Sequence, residues 1–181
     1  ASMGIYVFNY QTLLKVLTED THTPDSDRDF GKNIIPKMVA ENFRVFAYPF
    51  SNYWVDVGTI QSYWETHMDL LADQPSLDLL DRDWVIHTRS EERPPVNIRT
   101  GAIVSHSLIT DGCQIEGSVE YSVLSPGVRV ARGAVVRYSI VMTDCVIEAG
   151  AVVDRAIVDK HVRVGQFATV GYGNDYTANV E

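Results

Sequence analysis

The amino-acid sequence predicts an α/β segment followed by a parallel β-helix built from hexapeptide-type repeats. Three observations lead to this fold class. Aliphatic residues in the second half of the chain return in three rows that share one period. Glycines recur near the positions where a chain of short strands must turn. In the first 75 residues, apolar residues instead follow helical spacing, in segments that begin with capping residues.

The first segment predicts alternating strands and helices. Ile5 to Phe8 is a strand-like apolar run, and Asn9 can cap a helix that ends by Asp20. A second helix should carry Ile34, Ile35, Met38 and Val39, with Pro36 early in it. Arg44 to Tyr48 is a further strand candidate. A strand buried on both faces needs neighbours, so we expect this segment to be a fragment of a larger α/β domain.

A strand, turn and helix follow. Tyr53 to Val57 is rich in aromatic and β-branched residues, Gly58 breaks it, and Thr59 can cap a third helix. That helix carries an apolar stripe, which consists of Ile60, Tyr63, Trp64, Met68 and Leu71. The proline-containing stretch 76–100 then predicts a connector. The expected domains are 1–75, the end of an α/β domain, and 101–181, the β-helix.

The β-helix is predicted from Ile103 to Val170 because its rows keep a 17-residue period. Steps of six, six and five residues fit three short strands per coil. Ile109 and Ile115 begin an earlier coil, 15 residues before the next. The alternative is an antiparallel sandwich, whose turns would not keep three rows in register. The rows are Leu124, Val141 and Val158; Val130, Ile147 and Val164; and Val136, Val153 and Val170.

Composition excludes several classes of function. A net charge of −9 without clustered Lys and Arg argues against a nucleic-acid partner. No apolar run approaches the roughly 18 residues of a membrane span. The spacing of Cys113 and Cys145 suggests neither zinc nor a disulfide framework, so we expect two buried thiols in a reducing cytoplasm.

Asp56 is the residue most suggestive of chemistry. It ends a predicted strand just before a glycine and a helix start, the place where α/β folds bind anions and where a carboxylate can hold Mg²⁺ against phosphates. The alternative is that it only accepts hydrogen bonds from amides of the turn. His106 and His161 could be an acyltransferase base or metal ligands, but exposed corner positions are favoured. The three tryptophans favour packing over base or sugar stacking.

The whole chain resembles the later part of the glucose-1-phosphate adenylyltransferase (ADP-glucose pyrophosphorylase) family. The motifs that carry the resemblance appear in family order: Ala1-Ser2-Met3-Gly4-Ile5-Tyr6-Val7-Phe8, Asp29-Phe30-Gly31-Lys32, Tyr53-Trp54 with Asp56-Val57-Gly58-Thr59, and Asp81-Arg82-Asp83-Trp84. The resemblance implies a Rossmann-like nucleotidyltransferase domain joined to a left-handed parallel β-helix, usually in a homotetramer. It also implies adenylyl transfer from ATP to glucose 1-phosphate, giving ADP-glucose for glycogen synthesis and pyrophosphate, with Mg²⁺ as cofactor.

The resemblance also implies residue roles. Ser2 would contact the glucose, Asp56 would lie beside the sugar phosphate and bind the metal, and Lys160 would bind anionic metabolite effectors. Two positions depart from the family pattern: Val55 stands in place of a common Arg, and Arg28 in place of a common His. Both change local charge rather than the reaction class.

The family's glycine-rich loop, its catalytic basic residues and its other metal-binding carboxylate all precede the Ala1-Ser2-Met3-Gly4 segment. We therefore expect no catalytic residue within these 181 residues and no activity from them alone. Three alternatives remain open. One is a non-catalytic regulatory subunit of the same family. Another is a β-helical acyltransferase or a structural module, which would leave the first hundred residues without a role. The third is a different sugar or base specificity within the nucleotidyltransferases.

Overall fold

The chain folds as two units that divide between Trp54 and Val55, in a computed structural model that describes residues 2–88 and 91–171. The division falls earlier in the chain than the connector predicted over 76–100. The predicted domain bounds, 1–75 and 101–181, therefore stay predictions about the family's organisation. No helix within the described residues combines the length and the apolar character needed to cross a membrane.

The first helix of the first unit begins at its predicted cap. Helix α1 spans Tyr10–Thr21, and Asn9 Oδ1 accepts hydrogen bonds from the amides of Gln11 and Thr12 at its start. A π-helical turn over Phe30–Ile34 leads directly into α2, Ile35–Ala40, with Pro36 in its first turn. The two helices pack around a small apolar cluster, which consists of Val16, Ile34 and Met38 with Phe8, Phe30, Ile35 and Phe43.

The prediction of strands in the first half of the chain is wrong, because the described residues form none there. No β-strand is present among residues 2–88. The three segments predicted as strands have no regular secondary structure: Ile5 to Phe8, Arg44 to Tyr48 and Tyr53 to Val57. Most of their apolar side chains are exposed, and Val7 is 99% exposed, whereas Phe8 packs on the apolar cluster. A strand exists only when a neighbouring strand completes its hydrogen bonds, and local composition does not supply that neighbour.

Helix α3 spans Ile60–Asp69 and begins the regular structure of the second unit, as its Thr59 cap predicts. The Thr59 hydroxyl accepts from the Ser62 amide at 3.0 Å, and the Ser62 hydroxyl accepts in return from the Thr59 amide at 3.2 Å. This reciprocal capping box satisfies two donors at the helix start. The predicted apolar stripe is only partly covered: α3 itself has no buried residue, whereas Leu71 just beyond it is buried.

The rest of the second unit is a parallel β-helix of fourteen short strands. They form three sheets, ordered β1-β4-β7-β10-β13, β14-β11-β8-β5-β2 and β12-β9-β6-β3, so each coil contributes one strand to each side. The strands are β1 Asn97–Ile98, β2 Ile103–Ser105, β3 Leu108–Ile109, β4 Gln114–Ile115, β5 Ser118–Glu120, β6 Val123–Leu124, β7 Arg129–Val130, β8 Val135–Arg137, β9 Ile140–Val141, β10 Val146–Ile147, β11 Val152–Asp154, β12 Ile157–Val158, β13 Arg163–Val164 and β14 Thr169–Val170.

The register confirms all three predicted rows. Leu124 pairs with Val141, and Val141 pairs with Val158; the other two rows pair in the same parallel manner. The shorter first interval is also confirmed, because Ile109 pairs with Leu124. The β-helix starts earlier than predicted: β1 lies within the expected connector, and Ile98 pairs with Ile115. A single apolar residue gave that first strand too little pattern to be recognised.

Inward-facing residues of the coils form a continuous aliphatic core that includes Cys113 and Cys145. Both thiols are free and buried, as predicted. Burial raises their pKa, so both stay protonated near neutral pH and are not nucleophiles. One corner is held by a ladder of hydroxyls: Ser122 Oγ accepts from the Ser139 amide, and Ser139 Oγ from the Ala156 amide.

Candidate functional site

Ser2 lies in the first unit and is held by two local hydrogen bonds. Its hydroxyl is 2.8 Å from the Tyr6 hydroxyl and accepts from the Gly4 amide at 3.2 Å. The side chain is exposed. An exposed serine hydroxyl whose orientation is already fixed can exchange hydrogen bonds with a sugar hydroxyl at low entropic cost.

An aromatic cluster positions the Tyr6 ring that holds Ser2. Tyr6 stacks on Phe30 with ring centroids 5.6 Å apart, and Phe8 packs on the same Phe30 ring at 5.7 Å. Phe30 opens the π-helical turn, whose start is capped by Asp29 Oδ1 accepting from the Lys32 amide at 2.8 Å. The segment around Ser2 therefore packs on the Asp29-Phe30-Gly31-Lys32 turn through the Phe30 ring. Sequence reasoning missed Tyr6 as a partner of Ser2, because only the fold shows which tyrosine reaches it.

Asp56 lies in the second unit, in a tight turn at the start of α3. Its Oδ1 accepts from the Gly58 amide at 3.0 Å. This is the alternative role considered from the sequence, in which Asp56 accepts hydrogen bonds from amides of the turn. The side chain is exposed, and Oδ2 makes no hydrogen bond or ion pair with the described residues. One carboxylate oxygen therefore fixes the turn while the other is available to a ligand. Gly58 leaves room for this arrangement, since a Cβ there would lie 3.1 Å from Asp56 Oδ1.

No group of three potential metal ligands occurs among residues 2–88 and 91–171. Asp56 can thus supply one ligand to a cation but cannot form a site with other side chains of this part of the chain. Mg²⁺ is commonly held by one or two carboxylates together with substrate phosphates. The geometry of Asp56 fits that pattern of partial coordination.

The two histidines of the repeat do not converge on one site. His106 stacks on Tyr121 with centroids 4.6 Å apart, and its Nε2 lies 3.7 Å from an Asp73 carboxylate oxygen. His161 lies at another corner, with Nδ1 4.0 Å from Asp144. Both residues have positive φ and are exposed. The expectation of corner histidines is confirmed.

Lys160 lies on an exposed corner between β12 and β13. Its amide donates to Asp159 Oδ1 at 2.8 Å, and its ammonium makes no ion pair with the described part of the chain. The neighbouring His161 adds a second group that can carry positive charge. The side chain of Lys160 is thus an exposed cation without a carboxylate partner among the described residues.

Arg93 forms a bidentate ion pair in the second unit, and sequence reasoning did not identify it. Its guanidinium donates to both carboxylate oxygens of Asp144, at 2.6 and 3.0 Å, and its Nε donates to Glu91 at 2.8 Å. The hydrogen bonds from Arg93 hold the pKa of Asp144 below its usual range, and Asp144 in turn raises the pKa of Arg93. A cavity of about 350 Å³ lies beside the pair, lined also by Gln114 and Arg129.

The tryptophans differ in environment. The indole of Trp64 is half-buried and donates from Nε1 to the Tyr138 carbonyl oxygen at 2.8 Å, which confirms packing for this residue. Trp84 is 77% exposed, so the expectation of packing is wrong there. Trp84 lies in an irregular segment, where an apolar side chain has no neighbouring strand or helix face to cover it.

Comparison with known proteins identifies both parts of the chain. Residues 1–73 match the family model described as nucleotidyl transferase, and residues 96–179 match the GlmU-like C-terminal hexapeptide model. The chain is 46% identical over 158 residues to the glucose-1-phosphate adenylyltransferase of Desulforamulus reducens, an alignment that covers 87% of this chain and 40% of that protein.

Other relatives carry the same name. The chain is 48% identical over 158 residues to the glucose-1-phosphate adenylyltransferase of Bacillus anthracis, covering 87% of this chain and 42% of the relative. Identity to that of Halalkalibacterium halodurans is 51% over 128 residues, covering 71% and 33%. The chain thus spans well under half the length of the curated relatives that it matches.

Proposed function

This chain belongs to the glucose-1-phosphate adenylyltransferase family, and we propose that it forms part of an enzyme that transfers adenylyl from ATP to glucose 1-phosphate. In that reaction a phosphate oxygen of the sugar phosphate attacks the α-phosphorus of ATP, and the bond to the departing pyrophosphate breaks. The observation that carries the proposal is identity of 46–51% to proteins of that name over both parts of the chain.

In this proposal the first unit binds the sugar. The Ser2 hydroxyl, held at 2.8 Å from Tyr6, contacts the glucose. Tyr6 is fixed in turn by its stack on Phe30, so it orients Ser2 without contacting the reacting atoms. Holding a substrate in one orientation is a large part of what an enzyme supplies when two anionic reactants must meet in line.

Asp56 acts at the sugar phosphate and the metal. Its Oδ2 offers one ligand to Mg²⁺, while Oδ1 keeps the turn at the start of α3 in place. Mg²⁺ would neutralise developing negative charge on the phosphates when bound. Since no second metal ligand accompanies Asp56 among the described residues, the phosphates and other parts of the intact protein complete the coordination.

The β-helix serves assembly and regulation in this proposal. We place the binding of anionic metabolite effectors at the exposed corner of Lys160 and propose a cytoplasmic homotetramer that makes ADP-glucose for glycogen synthesis. Light scattering of the intact protein tests the tetramer. A monomer at micromolar concentration would contradict it.

The decisive assay uses the intact protein with ATP, glucose 1-phosphate and Mg²⁺, following ADP-glucose and pyrophosphate in equal amounts. UTP in place of ATP tests the base, and an acyl-coenzyme A with an amino sugar tests acyl transfer. We expect product only with ATP, and none from the 181 residues alone. Acyl transfer by the intact protein would overturn the proposal, and a silent intact protein that still activates a catalytic partner would favour the regulatory subunit.

A further inference from the structure

Helix α3 is joined to the β-helix by one hydrogen bond that spans 74 residues of sequence. The indole Nε1–H of Trp64 donates to the carbonyl oxygen of Tyr138 at 2.8 Å. Both residues are half-buried, so solvent competes weakly for this bond. The bond fixes one point of the helix on one corner of the β-helix.

The backbone conformation of Tyr138 makes its carbonyl available. Tyr138 has φ +48°, and its amide donates to the Glu120 carbonyl of the preceding coil at 3.1 Å. No backbone amide among the described residues donates to the Tyr138 carbonyl in return. The left-handed corner therefore presents an acceptor that the sheet ladders leave unused, and Trp64 satisfies it.

A column of stacked side chains packs at this corner. The Tyr138 ring stacks on Tyr121 at 5.1 Å with the planes 8° apart, and Tyr121 stacks on His106 at 4.6 Å. On its other side, Tyr138 lies 5.1 Å from the guanidinium of Arg155. Tyr138, whose carbonyl accepts from Trp64, thus also contributes its side chain to a column that spans four successive coils.

No residue of helix α3 is buried, although several are half-buried. The hydrogen bond from Trp64 is therefore a specific attachment on a helix that has no buried face. Trp64 lies five residues after the Thr59 cap, about 7.5 Å along the axis at 1.5 Å per residue. The anchor therefore acts at the middle of this ten-residue helix, about one and a half turns from its start. At that start, Asp56 Oδ1 accepts from the Gly58 amide, and the Thr59 hydroxyl accepts from the Ser62 amide.

We propose that Trp64 is a positioning residue, which holds the Asp56 turn in its working orientation by donating to the Tyr138 carbonyl. Through this bond the β-helix holds the turn whose carboxylate is proposed to bind the sugar phosphate and the metal. The functional part of this inference rests on the role proposed above for Asp56, whereas the anchoring itself does not.

Hydrogen exchange tests the anchoring without any catalysis. Trp64→Phe keeps an aromatic side chain but loses the Nε1–H donor and the five-membered ring of the indole. Amide exchange at Gly58 and Ser62 should accelerate at least three- to about tenfold, the effect of one net hydrogen bond. Amides in the β-helix core should be unchanged. Trp84→Phe is the matched control on an exposed tryptophan, and Tyr138→Phe keeps the carbonyl acceptor; neither should alter exchange at Gly58 and Ser62. Unchanged exchange in Trp64→Phe would overturn the anchor.

Kinetics of the intact protein test the consequence. Trp64→Phe should raise the KM for glucose 1-phosphate and the Mg²⁺ concentration for half-maximal activity about tenfold, with a smaller change in kcat. A purely structural loss would instead lower kcat in proportion to the folded fraction and leave both constants alone, which would overturn the positioning role. If exchange accelerates but the wild-type protein transfers no adenylyl group, the anchor stands and the proposed function fails.

Discussion

Arg93 and Asp144 form a two-pronged ion pair, with Nη1–Oδ1 at 2.6 Å and Nη2–Oδ2 at 3.0 Å. The pair fastens the segment just before β1 to a corner of the β-helix 51 residues later. It passes over Gly127, which has φ +77° and lies between the two side chains. A single glycine thus permits both the corner and the ion pair.

Gly127→Ala should destabilise the second unit more than an ordinary glycine-to-alanine change at a corner. A Cβ at this position would overlap both the Arg93 guanidinium and the Asp144 carboxylate, in addition to straining the left-handed backbone. Gly133→Ala is the matched control: its φ is +74°, but the nearest atom to a Cβ is 3.9 Å away. We expect that control to lose about 1–2 kcal/mol, the cost of the backbone alone. Equal losses in chemical denaturation would show that the ion pair does not matter.

The ion pair should make stability depend on acidic pH. Arg93 lowers the pKa of Asp144 in the folded state, so the stabilisation is present above the unfolded pKa of about 4 and is lost as pH falls through the folded pKa. Asp144→Asn, which also tolerates the positive φ of this corner, should be less stable than wild type at pH 7. The two proteins should converge near pH 2, as measured by denaturant unfolding.

A second variant separates the contribution of His161, whose Nδ1 lies 4.0 Å from Asp144. Because the hydrogen bonds from Arg93 are the larger cause of the lowered pKa, His161→Gln should keep most of the acid dependence. A constant difference between wild type and Asp144→Asn from pH 7 to pH 2 would contradict the role of the pair.

Features encoded by neighbouring residues could be predicted from the sequence. Asn9 and Thr59 cap helices through atoms two or three residues away, so local spacing suffices to find them. The β-helix was also predictable, because a 17-residue repeat turns long-range pairing, such as Leu124 with Val141, into a periodic pattern. The handedness of the coil does not follow from the period and stays a prediction.

Features that depend on a single distant partner could not be predicted. Arg93 with Asp144 and Trp64 with Tyr138 leave no periodic trace, since each occurs once. The strand predicted over Ile5 to Phe8 failed for the opposite reason: its composition suits a strand, but pairing requires a neighbour. For Asp56 the turn could be predicted from the sequence, whereas only the structure shows that Oδ1 accepts the hydrogen bond from the Gly58 amide.

Lys160→Ala in the intact protein should change the response to anionic effectors more than the basal rate. The ammonium is exposed and makes no ion pair with described residues, so its removal leaves the fold undisturbed. Activation and inhibition curves with phosphorylated metabolites, beginning with inorganic phosphate, measure the effect. Arg132→Ala is the control, since Arg132 is another exposed cation of the β-helix. Identical curves for Lys160→Ala and wild type would remove Lys160 from the site.

Asp56→Asn should lower turnover of the intact enzyme by several orders of magnitude and weaken its dependence on Mg²⁺, because the amide loses the charge that a hard cation requires. The asparagine oxygen can still accept from the Gly58 amide, so the turn and the capping box of α3 should survive. Loss of activity with an unchanged melting temperature would therefore report chemistry rather than folding.

Asp78→Asn is the control for Asp56, because Asp78 Oδ1 makes the same bond to an amide two residues on, that of Leu80, at 2.8 Å. It should leave turnover and Mg²⁺ dependence at wild-type values. If Asp56→Asn behaves like Asp78→Asn, then Asp56 serves only its turn, and the metal must be held entirely by the substrates and other residues of the intact protein. The two carboxylates differ in one respect that favours the first outcome: only Asp56 lies at the start of a helix, where the N-terminal end of the dipole attracts phosphate.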